Sequence, residues 1–144
     1  MCWIGEYHPL YAFANMKTFK IVRIWNNNTI YSLYHKDFEW KLGEEYKINL
    51  DENIYTQIDI VEINRGFHCY DPDEVNLIID KCGANIWSKW KKLDGEFTRC
   101  RENNNLAVME CIIPEGSEYF ENKYGEIVTE KLKPISITKI FHYK

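Results

Sequence analysis

A chain of 144 residues is long enough to fold as one compact domain, here residues 1–144, and its 45% hydrophobic and 15% aromatic content excludes a disordered segment. A net charge of −4, from 18 Lys and Arg against 22 Asp and Glu, excludes a general attraction for the phosphate backbone of nucleic acids. No stretch approaches the roughly 20 apolar residues of a membrane helix, and five cysteines without a C-x-x-C spacing argue against a disulfide framework or zinc ribbon.

Lys17 to Trp25 is rich in β-formers and is stopped by Asn26-Asn27-Asn28, after which Thr29 to Tyr34 resumes as the second strand of a hairpin. Phe38 to Ile48 reads as a short strand with aromatic residues around Gly43. Ile54 to Ile63 alternates before drifting out of phase, and reads as a longer strand. Phe67 to Tyr70 ends a strand, with Phe67 and Cys69 on one face and His68 and Tyr70 on the other.

The helix is the best-specified element and is expected over about 72–82. Asp71 caps it, Pro72 suits the first helical position and Glu74 completes a capping-box-like pattern. Val75, Ile78, Ile79 and Cys82 fall at i, i+3, i+4 and i+7, and Gly83 supplies the stop. Glu96 to Arg101 and Leu106 to Ile113 read as a hairpin around Asn103-Asn104-Asn105, which places Cys100 opposite Cys111 without favouring a bridge. Pro114 to Gly116 and Asn122 to Gly125 turn the chain, and Ile127 to Phe141 forms one or two strands separated near Pro134. The expected fold is α+β: a single β-dominated domain, mostly antiparallel sheet, with one main helix.

Candidate site residues are few. His68 lies near a helix N-terminus, but Asp71, Asp73 and Glu74 already hold that end with negative charge, so its first reading is structural and its second ligand-facing, with Tyr70 beside it. Because His68 and Cys69 point to opposite faces, no metal pair is expected. Arg23 shares a face with Phe19, Ile21 and Trp25. The favoured reading is a strand-end guanidinium snorkelling outward; the alternative is one that stacks on a ring or reaches an anion. Glu110, between Val108 and Ile112 on its face, is a raised-pKa acid if unpaired and a salt-bridge partner otherwise. The WSKWKK run interleaves Trp87 and Trp90 with lysines, a composition that stacks bases, although core tryptophans beside a solvated lysine face are the commoner case.

Met1-Cys2-Trp3, Gly66-Phe67-His68 and the run Ile113-Pro114-Glu115-Gly116-Ser117-Glu118-Tyr119-Phe120, followed by Gly125-Glu126-Ile127-Val128, resemble a group of uncharacterised short proteins of gut bacteria and their phages. Those proteins carry a GFH motif ahead of an IPxGxxYY…GExV segment. The resemblance spans most of the chain and implies a phage or mobile-element context. The C-terminal segment is also similar to the end of ADP-ribosyltransferase-like domains. There a glutamate opening a late strand holds the nicotinamide ribose and an early arginine binds the NAD phosphates; Glu126 and Arg23 are the matching positions. Tyr124 stands where many members have a second acidic residue, and an S-T-S strand motif is lacking.

Three functions are carried forward from these residues. The first is a non-enzymatic protein of the cytoplasm, the host's if phage-encoded, that binds a small anionic nucleotide-type ligand and acts in counter-defence by sequestering a host immune signal. Its ligand residues would be Arg23, His68, Tyr70, Trp87, Trp90 and Arg99, with Lys89 among the scattered cations, no cofactor, and room for a homo-oligomeric site. The second is an NAD-consuming transferase using Arg23 and Glu126, with His68 as a further candidate. The third is a protein-interaction module or inhibitor docking through an edge strand or aromatic patch.

Overall fold

The computed structural model describes residues 3–25, 29–32, 38–55, 59–82 and 104–141. In chain order the strands are β1 (Trp3–Glu6), β2 (Leu10–Tyr11), β3 (Met16–Trp25), β4 (Thr29–Ser32), β5 (Glu39–Trp40), β6 (Tyr46–Lys47), β7 (Asp51–Tyr55), β8 (Ile60–Arg65) and β9 (Phe67–Tyr70). Helix α1 (Pro72–Cys82) follows, then β10 (Asn104–Ile113), β11 (Glu118–Glu121), β12 (Glu126–Thr129) and β13 (Lys131–Phe141). Among the described residues this is a β-dominated domain of antiparallel sheet with one helix, so α+β describes it only loosely. No helix among them is long and apolar enough to cross a membrane.

The large sheet runs β2-β11-β12-β9-β3-β10-β13-β6, and β4 joins β3 to β5. The long strand β3 organises it. One edge pairs with β10 from Met16 to Trp25, while the other is shared between β9 at Phe19 and β4 from Val22 onward. The sheet is strongly curled. Strands β9 and β6 stand four places apart, about 19 Å in a flat sheet, yet Trp40 lies 5.4 Å from the Phe67 ring of β9 and 4.9 Å from the Tyr46 ring of β6. The concave face therefore closes on its own core of Val22, Ile24, Ile30, Trp40, Phe67, Cys69, Met109, Cys111, Ile127 and Leu132.

Two separate covers protect the convex face. Helix α1 lays Val75, Ile78 and Ile79 on Phe19, Ile21, Tyr70, Leu106 and Val108. Its start is as the sequence specifies: the Glu74 backbone N–H donates to Asp71 Oδ1 at 2.7 Å, and the Val75 N–H to the Asp71 carbonyl at 3.1 Å. The turn before β12 packs on this cap. Gly125 has φ +72°, and a methyl group there would lie 2.8 Å from Glu74 Cβ and 2.9 Å from Asp71 Oδ2. The second cover is a small sheet, β1-β8-β7, whose Trp3, Val61 and Ile63 pack on Phe120 and Val128.

Gly66 sits where the chain leaves the small sheet at β8 and enters the large one at β9. A methyl group on it would overlap Val128 Cγ2 and come within 2.8 Å of Leu50 Cδ2. The glycine of the GFH triplet thus permits close approach of two sheets. Gly66→Ala is expected to lower stability by about 1–2 kcal/mol through overpacking, read as a lower urea midpoint at unchanged m-value.

Several boundaries differ from the expectation. Residues 54–63 are not one strand, because Tyr55 pairs with Ile60 and Ile54 with Val61 in a hairpin whose turn holds Asp59 at φ 54°. The loss of alternation marked that reversal. Residues 38–48 hold two short strands on either side of Gly43. Asn104 and Asn105 already belong to β10, paired with Trp25 and Ile24, so the asparagine run is not wholly a turn. The break in the last segment falls at Glu130; Pro134 lies inside β13, at a register shift where its missing N–H is tolerated.

Candidate functional site

Alternation along β3 decides what faces the concave core. Phe19, Ile21 and Arg23 take the convex side, and Thr18, Lys20, Val22 and Ile24 take the concave one. A lysine is thereby placed among Trp40, Cys69 and Cys111. Its ammonium group donates to the His68 backbone carbonyl and lies 5.7 Å from the Trp40 ring centroid. Among the described residues no carboxylate pairs with it. Lys20 keeps some accessible surface along its length, but its amine is packed round closely, and desolvation lowers its pKa from the ordinary 10.5.

The walls near this amine are aromatic. Phe38 lies 4.8 Å from Trp40, 5.7 Å from Tyr46 and 6.4 Å from Phe67, so four rings form one cluster running from the partly exposed Phe38 to the buried Phe67. Trp40 is fixed by an indole N–H that donates to Ser32 Oγ at 2.8 Å. Thr18, fully buried two residues before Lys20 on the same strand face, turns its hydroxyl toward the Cys69 thiol without making a full hydrogen bond to any protein group. Burial pushes the Cys69 thiol up to about 11 and raises that of Cys111 as well, so neither is a ready thiolate nucleophile.

The residues singled out from the sequence fall elsewhere. Arg23 does not snorkel from a strand end: it is 4% exposed, lies 5.3 Å from the Tyr31 ring, and donates through Nε to the Ser32 carbonyl at 3.4 Å. β4 pairs alongside it and supplies Tyr31 and Ser32, while Ile21 and Leu106 next to it pack under α1. His68 and Tyr70 share one face as expected, the convex one, half-buried, with Tyr70 in the cluster beneath the helix. What His68 contributes at the concave site is its backbone carbonyl. Glu110 is paired, with Lys17 Nζ 3.3 Å from its Oε1. Trp87, Lys89, Trp90, Arg99 and the Cys100 half of the considered pairing lie outside the described residues; Cys111 is a free thiol.

Glu126 opens β12, and its carboxylate accepts a hydrogen bond from Asn122 Nδ2 at 3.0 Å. Strand register places it beside Tyr70, which pairs with Phe19, so Glu126 and Arg23 share the convex face. They are two strands and four residues apart, about 16 Å, and α1 packs on Phe19, Ile21 and Tyr70 between them.

One further cluster is acidic. The Glu118 carboxyl lies near Glu52 of β7 and Tyr11 of β2, and Glu130 Oε1 accepts the Glu118 backbone N–H at 3.2 Å. Desolvation, then the Glu52 carboxyl and the charge of Glu130, push Glu118 up to about 7. The folded chain therefore holds a proton that the unfolded chain releases near 4.5. That contribution to stability is full below about 4.5 and is lost as pH rises through about 7. Thermal melts are expected to show a midpoint that falls between pH 5 and pH 8, and Glu118→Gln should flatten this slope. An unchanged slope would place the titration elsewhere. Among the described residues no three His, Cys, Asp or Glu side chains are grouped to hold a metal ion.

Compared with models of known protein families, with curated proteins and with solved structures, the chain matches none.

Proposed function

We propose that this chain is a non-enzymatic binding protein for a small, planar, anionic ligand of the nucleotide type, and that its site is the concave face around Lys20. The observation that carries this reading is an ammonium group set against Trp40 with no carboxylate partner among the described residues. A buried charge without a counter-ion is costly, and a ligand phosphate or carboxylate would supply one. The four-ring cluster beside it reaches the surface at Phe38, 37% exposed, where a planar group has a ring to stack on. Phage or mobile-element origin, and sequestration of a host immune messenger in the host cytoplasm, are the biological setting in which such a protein works.

The test is to incubate the purified protein with a pool of NAD, ADP-ribose isomers and cyclic nucleotides, then weigh complex and released ligand by native mass spectrometry. One nucleotide recovered unchanged, and lost from Lys20→Met, is the expected result; the same spectra give the number of copies that form the site. Nicotinamide release would overturn the non-enzymatic reading in favour of the transferase.

A second reading, a protein-interaction module, is favoured by Phe13 at 94% and Tyr11 at 62% exposure beside the terminal strand β2. It expects the nucleotide pool to give no complex.

A further inference from the structure

The outer face beside β2 combines two features, exposed rings and gathered carboxylates. Ala12 turns its side chain into the concave core and is held by the turn before β11: its N–H donates to the Ser117 carbonyl at 3.0 Å, and its carbonyl accepts the Gly116 N–H at 2.6 Å. Alternation sends Tyr11 to the opposite face, where it is 62% exposed, and Phe13, just beyond Ala12, stands clear of the core at 94%. A phenyl ring so placed gives up the burial that stabilises the rest of the fold. The same face is negatively charged. Glu118 stands directly opposite Tyr11 in the ladder of β2 and β11, Glu130 reaches back to the Glu118 backbone N–H at 3.2 Å, and Glu52 of the small sheet adds its charge to both Glu118 and Tyr11.

We propose that the face of Tyr11 and Phe13 docks an arginine-bearing segment of a partner protein, its guanidinium groups laid over the two rings and directed at Glu118, Glu130 and Glu52. The proposal rests on the interaction reading for where a partner sits and adds that partner's charge and residue type. Carboxylates attract a cation, and the negative face of an aromatic ring does the same through its quadrupole, so both features select one kind of group. Arginine suits them better than lysine, because a planar guanidinium stacks on a ring while its edge donates to a carboxylate in a fork. A second copy of this chain is a poor occupant, since a two-fold contact would set these carboxylates against themselves. An anionic membrane surface would be repelled in the same way.

The probes are four fluorescein-labelled hexapeptides that alternate threonine with arginine, lysine, glutamine or glutamate, titrated with the full chain at low salt and followed by fluorescence anisotropy. The arginine peptide is expected to bind about tenfold tighter than the glutamine peptide and to lose about that factor in Phe13→Ser. Phe13 lies outside the core, so its replacement leaves the fold intact. Binding should also weaken from pH 8 to pH 6, as Glu118 takes up its proton beside Glu52 and Glu130. Glutamine and arginine peptides bound equally, and both lost in Phe13→Ser, would keep the interaction reading and overturn the preference for a cation. Arginine-peptide binding unchanged in Phe13→Ser would overturn the inference, and no binding by any of the four would remove the interaction reading with it. Self-association of the wild type that disappears in Phe13→Ser would give the face to a second copy and overturn the proposal.

Discussion

Phe120→Ala is expected to lower the stability of the protein by about 4 kcal/mol, a fall in melting temperature of roughly 10–15 °C for a chain of this size. Phe120 is fully buried on β11, with its ring 5.7 Å from Trp3 and 6.3 Å from Tyr7, and it belongs to the cluster that also holds Val61, Ile63 and Val128. These partners come from β1 and β8 of the small sheet and from β12 of the large one. Truncation therefore removes the largest fully buried side chain in the contact between the two sheets, and the cavity is walled by backbone-paired strands that cannot collapse into it. The loss should appear in urea or thermal unfolding, together with a changed near-UV signal from Trp3. A cost below about 1 kcal/mol would mean that the small sheet is not packed on Phe120.

The helix was legible because all of its signals are local. Asp71, Pro72 and Glu74 specify its start within four residues, and the Val75, Ile78, Ile79 stripe specifies its buried side without reference to any distant part of the chain. The same holds for the turns at Gly116 and Gly125, where glycine with positive φ closes a reversal. The hairpin of β7 and β8 was not legible as a pair, since Asp59 lacks a glycine partner and Ile58 and Ile60 continue an apolar run across the reversal. Strands β1 and β2 carry no local signal for a different reason. They are short and take their place through long-range partners, Ile63 for Trp3 and Glu118 for Tyr11.

Lys20 is not marked by the alternation of a strand with one buried face. Phe19, Ile21, Arg23 and Trp25 make an apolar side, so Lys20 takes the apparent solvent side. Yet Ile21, Val22 and Ile24 are all apolar and all buried, which is the pattern of a strand covered on both faces. That continuous run was the available signal: a lysine in phase with Val22 and Ile24 had to face a core. What the sequence could not supply is the identity of the neighbours. Trp40 approaches Lys20 only because the sheet curls, and curling depends on pairings as remote as Leu132 with Tyr46.

Lys20→Met is expected to stabilise the protein by about 1–2 kcal/mol while weakening the anionic ligand roughly 100-fold, equivalent to about 3 kcal/mol of lost charge-assisted contact. A thioether of similar length fills the space beside Trp40, Cys69 and Cys111 without a charge that must be stripped of water. The sign of the pH dependence follows from the lowered pKa. Below the ordinary value of 10.5 the unfolded chain binds the Lys20 proton more readily than the folded chain does. Wild-type stability at this group accordingly rises with pH through the folded-state value, and the advantage of methionine should be largest near neutrality and shrink as pH approaches 10.5. Opposite shifts in stability and affinity are the mark of a group kept for its ligand and not for the fold. If the methionine variant were instead less stable, the hydrogen bond from Lys20 to the His68 carbonyl would be a structural tie joining β3 to β9, and the binding site would have to be sought on another face.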